Sequence, residues 1–426
     1  MRTNERGAII IHVAIALMAL LCFVGIVLDQ GAFYLGRRQA QNAADGGALG
    51  GAMELLVNPG GNADATIAAK ALANQNGIWG QAAGDSNINV SVPEPCPDGS
   101  PTGCIAVWVM RGLPDQNNVA HTNTFPTFMM GIVGRNDQGS RAYAKAQVAG
   151  ANAVECIRPW VVSDKWTDTV PSTGTDPSGW DQMDSFDPGD TYTPGTSGFK
   201  ATGPGNDYGL QLVLKQGTVG SWSAGWTMEI DLGALGSSAY EEEIKRCPDW
   251  VPEVGLYKPG TPCTVKTDEN PPVGCLGVKT GMSQGPTSHG VDDLVALDST
   301  ASWNTTTNTL QNTCMTAGTC LNFDGEHVSL SPRVVPLALF DPASYIAGGY
   351  TGTNGVAKVM NMVGFFVEGM CDEVYPVAAT RPVYCGTPAE AQKMVVGRLM
   401  NYPGQGSGAA GSATEATFIK ITRLVQ

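Results

Sequence analysis

The N-terminal stretch of this chain carries its clearest hydropathy pattern. Residues 8–28 form an uncharged run of 21 positions in which His12 is the plainly polar member. Coiled as an α-helix at about 1.5 Å per residue, such a run is roughly 31 Å long, the thickness of a bilayer's hydrocarbon core. It is predicted to be a membrane anchor, with Ala8, Ile9, Ile10, Ile11, Leu17, Leu21, Phe23 and Leu28 as anchor residues. A cleaved signal peptide fits less well. Its apolar region runs to about 7–15 residues and ends at a small-x-small site, whereas this run passes into Val27-Leu28-Asp29-Gln30.

The helix is predicted to continue beyond the lipid, because no proline occurs from Asp29 to Val57 and the first strong stop is Asn58-Pro59-Gly60-Gly61. Along this extension Gly36, Ala40, Ala44, Gly47 and Gly51 recur at spacings of three and four, beside an apolar stripe of Leu49, Met53 and Leu56. Small residues at that spacing let another helix approach closely. Two occupants fit the stripe: the chain's own folded part, or a second subunit.

Further along, alternating and β-branched runs predict strands at residues 87–92, 105–113 and 141–148, with a short apolar helix at 124–133. A long helix laid on such a sheet is pilin-like in outline. Residues 151–330 read as loop-rich, with strands at 210–215 and 227–232 and a helix at 239–246. Four β-rich runs follow, at 333–340, 356–370, 394–401 and 417–425, and one sheet would accommodate them all. The predicted fold class is α+β. Its parts are a transmembrane helix extending into a pilin-like helix-plus-sheet unit, then a β-rich, loop-rich, disulfide-bearing ectodomain. The predicted segments are 1–57, 58–150, 151–330 and 331–426.

Composition sharpens this reading. Only 15% of residues are charged, and 54 Gly with 27 Pro imply many turns, a balance of β-rich secreted domains rather than helical bundles. Arg2, Arg6, Arg37 and Arg38 outweigh Glu5 and Asp29 by two charges over the first 40 residues, so the net charge of −14 leaves −16 on the remainder. An acidic ectodomain without a Lys/Arg run repels phosphate backbones, which excludes nucleic acid as a partner.

Cys22 lies inside the apolar run, and the other ten cysteines follow it: Cys96, Cys104, Cys156, Cys247, Cys263, Cys275, Cys314, Cys320, Cys371 and Cys385. An even number, with the short intervals 96–104, 314–320 and 371–385 across turn-rich sequence, points to disulfides and an oxidising compartment. No C-x-x-C occurs and only His121, His289 and His327 lie beyond the apolar run, so zinc is the weaker reading. Arginines flank the anchor on both sides, so the charge rule for orientation is silent. The cysteines place the N-terminus in the cytoplasm and the bulk outside.

The string Arg6-Gly7-Ala8-Ile9-Ile10-Ile11, the apolar helix, Asp29, Tyr34-Leu35, Gln41-Asn42-Ala43-Ala44-Asp45 and Ala48-Leu49-Gly50-Gly51-Ala52 resembles the N-terminus of TadG-like proteins of the Flp (tight adherence) pilus assembly system. The likeness extends through a second alanine-rich helix around residues 68–77 and the segments 107–110, 127–134 and 142–148, about the first third of the chain. The resemblance implies an inner-membrane location and partners among TadE/TadF-like pseudopilins or pilus platform subunits. Those pseudopilins are clipped after a Gly that precedes a Glu by five residues. Here the fifth residue after Gly7 is His12, so the chain is expected to stay intact and anchored.

Strings that invite other chemistry are weaker. Asp298-Ser299-Thr300-Ala301-Ser302 matches the metal motif of von Willebrand A domains, which many TadG-like proteins carry, but its lead-in has a helical pattern where a buried strand is needed. Gly281-Met282-Ser283-Gln284-Gly285 matches the nucleophile elbow, with Asp324 and His327 downstream, yet no β-branched run precedes it and Pro286 follows at once. Asp181, Asp184, Asp187 and Asp190 recur every three residues in a turn-rich stretch where oxygen ligands for calcium are conceivable. The tryptophans, among them Trp160, Trp166, Trp222 and Trp226, are expected in the core rather than on a binding face. The expectation is a non-catalytic structural component of pilus assembly or secretion with no cofactor, metal or catalytic residue. The alternative is an extracytoplasmic binding module or adhesin, calcium-dependent or recognising a glycan through the Trp- and Asp-rich middle.

Overall fold

The computed structural model describes residues 5–97, 103–112, 124–151, 153–169, 180–187, 189–193, 196–216, 225–230, 236–247, 275–279, 283–347, 355–404 and 417–425. Helix and sheet are mixed, and the chain divides into two units. The first comprises Met1–Leu55, Pro59–Val148 and Thr422–Gln426; the second comprises Leu56–Asn58 and Ala149–Ile421.

In the first unit, α1 (Glu5–Val57) is a single helix that stops where Asn58-Pro59-Gly60 begins. Gly60 has φ +88°, a left-handed conformation that glycine adopts without a Cβ penalty. The chain then enters α2 (Asn62–Gln75), which runs antiparallel to α1: Gly51 lies against Ala65 and Ala69, and Gly47 against Ala69 and Ala73. Beneath them is an antiparallel sheet of β1 (Ile88–Glu94), β2 (Cys104–Arg111) and β5 (Ser140–Gly150); β3 (Phe125–Pro126) and β4 (Asp137–Gln138) form a separate short pair.

Period-two patterning shows which face of β5 is inward. Ala142, Ala144 and Ala146 are buried, while Arg141 and Tyr143 are exposed and Lys145 is half-buried. The alanines meet Ile105, Val107 and Val109 of β2 and the α1 residues Ala40, Ala44, Ala48 and Ala52. Small side chains bury little area each, so this core depends on close backbone approach and many dispersion contacts. On the opposite face Trp108 sits directly across from Tyr143, ring centroids 4.4 Å apart, with the Arg141 guanidinium 5.8 Å from the indole.

The second unit is built on β6 (Trp160–Ser163), β7 (Gln211–Gln216), β8 (Trp226–Ile230), β9 (Cys275–Lys279), β12 (Val334–Phe340), β13 (Gly355–Met370) and β14 (Val395–Met400), with the hairpin β10 (Ser302–Asn304) and β11 (Thr309–Gln311) apart. Neighbours run β12-β6-β8-β7-β14-β13, and β13 pairs back onto β12, so the sheet closes into a barrel-like ring. Two of its pairs, β12 with β6 and β7 with β8, are parallel; the others are antiparallel. Closure removes open edges, which otherwise present unpaired N–H and C=O groups. β13 is long enough to serve three partners: β9 at its start, β12 in the middle and β14 at its end. β12 is buried at every position, which is why Val334-Val335-Pro336-Leu337-Ala338-Leu339-Phe340 is continuously apolar rather than alternating.

Two helices, α3 (Ser237–Lys245) and α4 (Gln284–Ala296), pack together where Gly290 faces Ile244 with no room for a side chain. The Trp160 indole N–H donates to Tyr240 Oη at 2.7 Å, and Tyr240 is hydrogen-bonded to Thr287 at 3.0 Å. Trp160, Trp166 and Trp226 are buried as expected; Trp222 lies outside the described residues.

The predicted strands near 87–92, 105–113, 141–148, 210–215, 227–232, 333–340, 356–370 and 394–401 all have counterparts, and α3 matches the helix at 239–246. Three expectations are corrected. The 124–133 segment is not one helix, since Phe125–Pro126 is a strand and only Met130–Val133 makes a 3₁₀ turn, which left-handed Gly134 ends; Pro126 disfavours a helix at its start. The final strand β16 (Ile419–Val425), following β15 (Tyr402–Pro403), does not join β12, β13 and β14 but takes the place beside β5 in strand order. The middle of the chain is richer than its loops suggested, containing β6, β9 and α4.

Among the described residues four cysteine pairs are bonded: Cys96–Cys104, Cys156–Cys247, Cys314–Cys320 and Cys371–Cys385. Three are the short intervals read from the sequence. Cys156–Cys247 closes a separation of 91 residues that spacing did not indicate. Cys263 lies outside the described residues, and Cys275 opens β9.

Candidate functional site

The feature that demands a function is α1 itself. From Ile9 to Leu28 its large apolar side chains are 43–69% exposed. Burying one such side chain is worth about 1.5–3 kcal/mol, so an exposed run of this length is stable only when something apolar surrounds it. Its length and composition are those of a helix that can cross a membrane. Cys22, within the run, is unpaired and exposed.

The apolar run ends in a built junction. Leu28 is 55% exposed, whereas the next residue, Asp29, is 1% exposed. Its Oδ1 accepts the backbone N–H of Phe128 at 2.5 Å, and its Oδ2 accepts those of Met129 at 3.0 Å and Met130 at 2.7 Å. Burial pushes the Asp29 carboxyl up, but the three N–H donors outweigh it and hold the group below its ordinary value. One turn earlier Gly25 is buried, and a Cβ there would overlap the Met129 side chain.

Beyond the junction, the Gln41-Asn42-Ala43-Ala44-Asp45 string has a physical reading. The Gln41 amide donates to Asp45 Oδ1 at 2.8 Å and to the Tyr143 carbonyl of β5 at 3.0 Å, and Ala43 and Ala44 are fully buried in the helix–sheet core. Gln39 Oε1 accepts the Trp79 N–H at 2.9 Å. The motif fastens α1 to the sheet. Of the stripe residues, Ala40 and Ala44 are buried in that core, and Gly47 and Gly51 contact α2 and the Val107 and Ile105 side chains of β2; Gly36 is buried as well. The chain's own α2 and β2 therefore occupy the stripe at Gly47 and Gly51.

The described residues of the other candidate strings make local hydrogen bonds and ion pairs. Asp298 follows α4, as the helical lead-in suggested, and accepts the Cys314 N–H at 3.2 Å; Thr300 donates to the Asn312 carbonyl at 2.8 Å, and Ser302 accepts from the Asn312 amide at 3.1 Å. Gly281 and Met282 lie outside the described residues, Ser283 precedes α4, and Asp324 is paired with Arg246. Asp181 accepts the Met183 N–H at 2.5 Å, and Asp190 accepts the N–H groups of Thr169 at 3.0 Å and Asp187 at 2.9 Å, so these carboxylates shape local turns. Among the described residues no three His, Cys, Asp or Glu side chains converge as a metal site.

The second unit also holds a cleft of about 490 Å³ lined by Lys165, Trp180, Gln182, Asp207 and Tyr384, among others. Lys165 Nζ lies 2.7 Å from Asp207 and 5.4 Å from the Trp180 ring centroid. The Gln182 amide is spent on the Gln211 carbonyl and the Val213 N–H, both in β7. Beside it, the fully buried Asp164 accepts N–H groups of Phe199 at 2.9 Å and Lys165 at 2.8 Å and the Tyr192 hydroxyl at 2.8 Å, with Gly198 too close to carry a side chain. Burial nonetheless raises its carboxyl to about 6, those three donors lowering it in part and Asp207 adding to the rise.

A raised carboxyl binds its proton more tightly in the folded state. Its stabilising contribution is therefore present below about pH 4 and is lost as pH rises through about 6. Asp164→Asn is expected to flatten the pH dependence of the second unit's melting between pH 4 and 6, read by calorimetry of the full chain in detergent; an unchanged slope would place the titration elsewhere.

The N-terminal part thus combines an exposed apolar helix of membrane-crossing length, a buried carboxylate clamped at the end of its apolar run and a motif that fastens its continuation to a sheet. Residues 7–54, the part of α1 just described, match the Tad family model, described as "Putative Flp pilus-assembly TadE/G-like". The match is to that N-terminal region, a narrower span than the third of the chain over which the resemblance was read. No curated protein and no solved structure matches the chain.

Proposed function

We propose that this protein is a non-catalytic structural component of Flp/tight adherence pilus assembly, held in the cytoplasmic membrane by residues 8–28 as a single-pass anchor. The N-terminus is cytoplasmic, and the disulfide-bearing bulk, including a pilin-like first unit, stands on the periplasmic side. The observation carrying this reading is that the segment matching the Tad family is the same helix that exposes an anchor-length apolar run. The four disulfides support an oxidising compartment.

TadE/TadF-like pseudopilins or platform subunits are the partners in this reading. Because α2 and β2 already cover the stripe at Gly47 and Gly51, the partner contact is assigned to the other side of α1, where Tyr34 is 65% and Leu35 is 49% exposed. Affinity purification of the full chain from membranes, with mass spectrometry of its companions, tests this. Pilus subunits are expected with the native protein and are expected to be depleted with Tyr34→Ala/Leu35→Ala. No specific companion in either sample would overturn the reading.

One observation favours the second reading, a binding module: the aromatic-walled cleft of the second unit. Its Lys165–Asp207 pair and Gln182 are already engaged, which ranks it below the first. A rise in melting temperature of the full chain with calcium or with a simple glycan would move it ahead.

A further inference from the structure

The junction at Asp29 fixes more than the end of a helix. It ties residues 127–134 to α1 at a known height along the anchor. Three of the loop's backbone N–H groups are held by Asp29, the first residue beyond the apolar run. Met129 reaches further in and packs on Gly25, which lies four residues before Asp29, or about 6 Å down the helix axis. The loop thus lies alongside the last turn of the apolar run, not above it.

At that height Phe128 is 64% exposed. The sequence from Thr124 to Gly134 carries no charge, and the first charged residue after it is the exposed Arg135. An aromatic ring turned outward, on an uncharged loop level with exposed Val24, Val27 and Leu28, borders whatever surrounds those side chains.

We propose that residues 127–134 form a second membrane contact, with Phe128 seated in the interfacial layer of the same leaflet through which α1 leaves the bilayer. This rests on the reading of α1 as a bilayer anchor. Continuity with the anchor's exposed surface at Val24, Val27 and Leu28 selects lipid as the occupant, whereas the partner contact proposed above lies further along α1, at Tyr34 and Leu35. Apolar and aromatic side chains at this depth bind by burial at the headgroup–acyl boundary. Two attachment points at one end of the anchor, one helix and one loop, restrict how far the first unit tilts against the membrane plane. Asp29 is the positioning residue: its carboxylate presents the loop without itself touching lipid.

The test uses the full chain in phosphatidylcholine proteoliposomes. In a Cys22→Ser background, a polarity-sensitive fluorophore is attached at Phe128→Cys, at Leu17→Cys in the anchor, or at Ile67→Cys on the exposed face of α2. Nitroxide lipids labelled near the headgroup, or deep in the acyl chain, supply the quencher. Blue-shifted emission with quenching is expected at 17 by the deep label and at 128 by the shallow one, with neither at 67. Quenching at 17 while 128 behaves like 67 overturns the loop contact and leaves the anchor standing; absence of quenching at 17 overturns the anchor reading and the loop with it. Photolabelling of the unsubstituted protein with a diazirine-bearing lipid guards against a folding defect in the Phe128 variant. Lipid adducts are expected on the peptide containing residues 127–134 as well as on the anchor, and adducts on the anchor alone overturn the proposal.

Discussion

Gly47→Leu is expected to part α2 from α1 and to destabilise the first unit by roughly 3 kcal/mol, the upper end for overpacking a tight core. A Cβ at Gly47 would lie 2.9 Å from the Ala69 carbonyl oxygen, 3.1 Å from the Ala73 Cβ and 3.3 Å from Val107 Cγ1. The first of these belongs to backbone, so relief requires moving α2 rather than rotating a side chain. Gain of helix propensity on losing a glycine, about 1 kcal/mol, offsets only part of the strain. Gly31, which has nothing within 4 Å of its Cβ position, is the control: Gly31→Leu collects the propensity gain without the clash. Thermal melting in detergent, with limited proteolysis of residues 58–75, reads both variants. Equal behaviour would mean that α2 does not occupy the stripe, leaving it free for another subunit.

Arg333→Ala is expected to cost the second unit about 3–5 kcal/mol, because it leaves four backbone carbonyls short of a donor at about 1–3 kcal/mol each before relaxation. The Arg333 side chain is buried, yet four hydrogen bonds satisfy it: Nε to the Val367 carbonyl at 3.0 Å, Nη1 to the Asp298 and Ala301 carbonyls at 3.0 and 2.9 Å, and Nη2 to the Glu368 carbonyl at 3.0 Å. The guanidinium also lies 4.8 Å from the Phe366 ring centroid. One fork thus joins the turn after α4 to β13, and its removal strands several carbonyls away from water. Burial already pulls the guanidinium below its ordinary pKa, with the Asp298 and Glu368 charges opposing that pull. Arg333→Lys should recover only part of the loss, because an ammonium is a point donor without the planar fork. Denaturant melting of the full chain measures both, and a cost under about 1 kcal/mol for Arg333→Ala would show that water or relaxation replaces the network.

Helix α1 was legible because its signals are local: an uncharged apolar run, no proline, then a proline–glycine stop. The same holds for β5, where alanines alternate with Arg141, Tyr143 and Lys145, and for β12, where a continuous apolar run marks a strand covered on both faces. The short cysteine intervals were legible for the same reason, since their closure depends on nearby residues. Cys156–Cys247 was not, because no spacing rule reaches across 91 residues.

What the tertiary structure decided is who meets whom. Closure of the second unit's sheet rests on β13 pairing with β12, β14 and β9 in turn, and on the short β6 and β9, whose few residues carry no distinctive period. β16 reads as a strand in any context; that it stands beside β5 is a long-range choice. The small-residue stripe of α1 stated that something would approach closely, and only the fold shows α2 and β2 doing so at Gly47 and Gly51. Asp29 stood out as a charge at the end of an apolar run, but its three N–H donors come from a loop about a hundred residues away. Periodicity, charge and turn chemistry act over a few residues and so are written in the sequence. Pairing between distant segments is selected by the whole chain's packing and is visible only once it has folded.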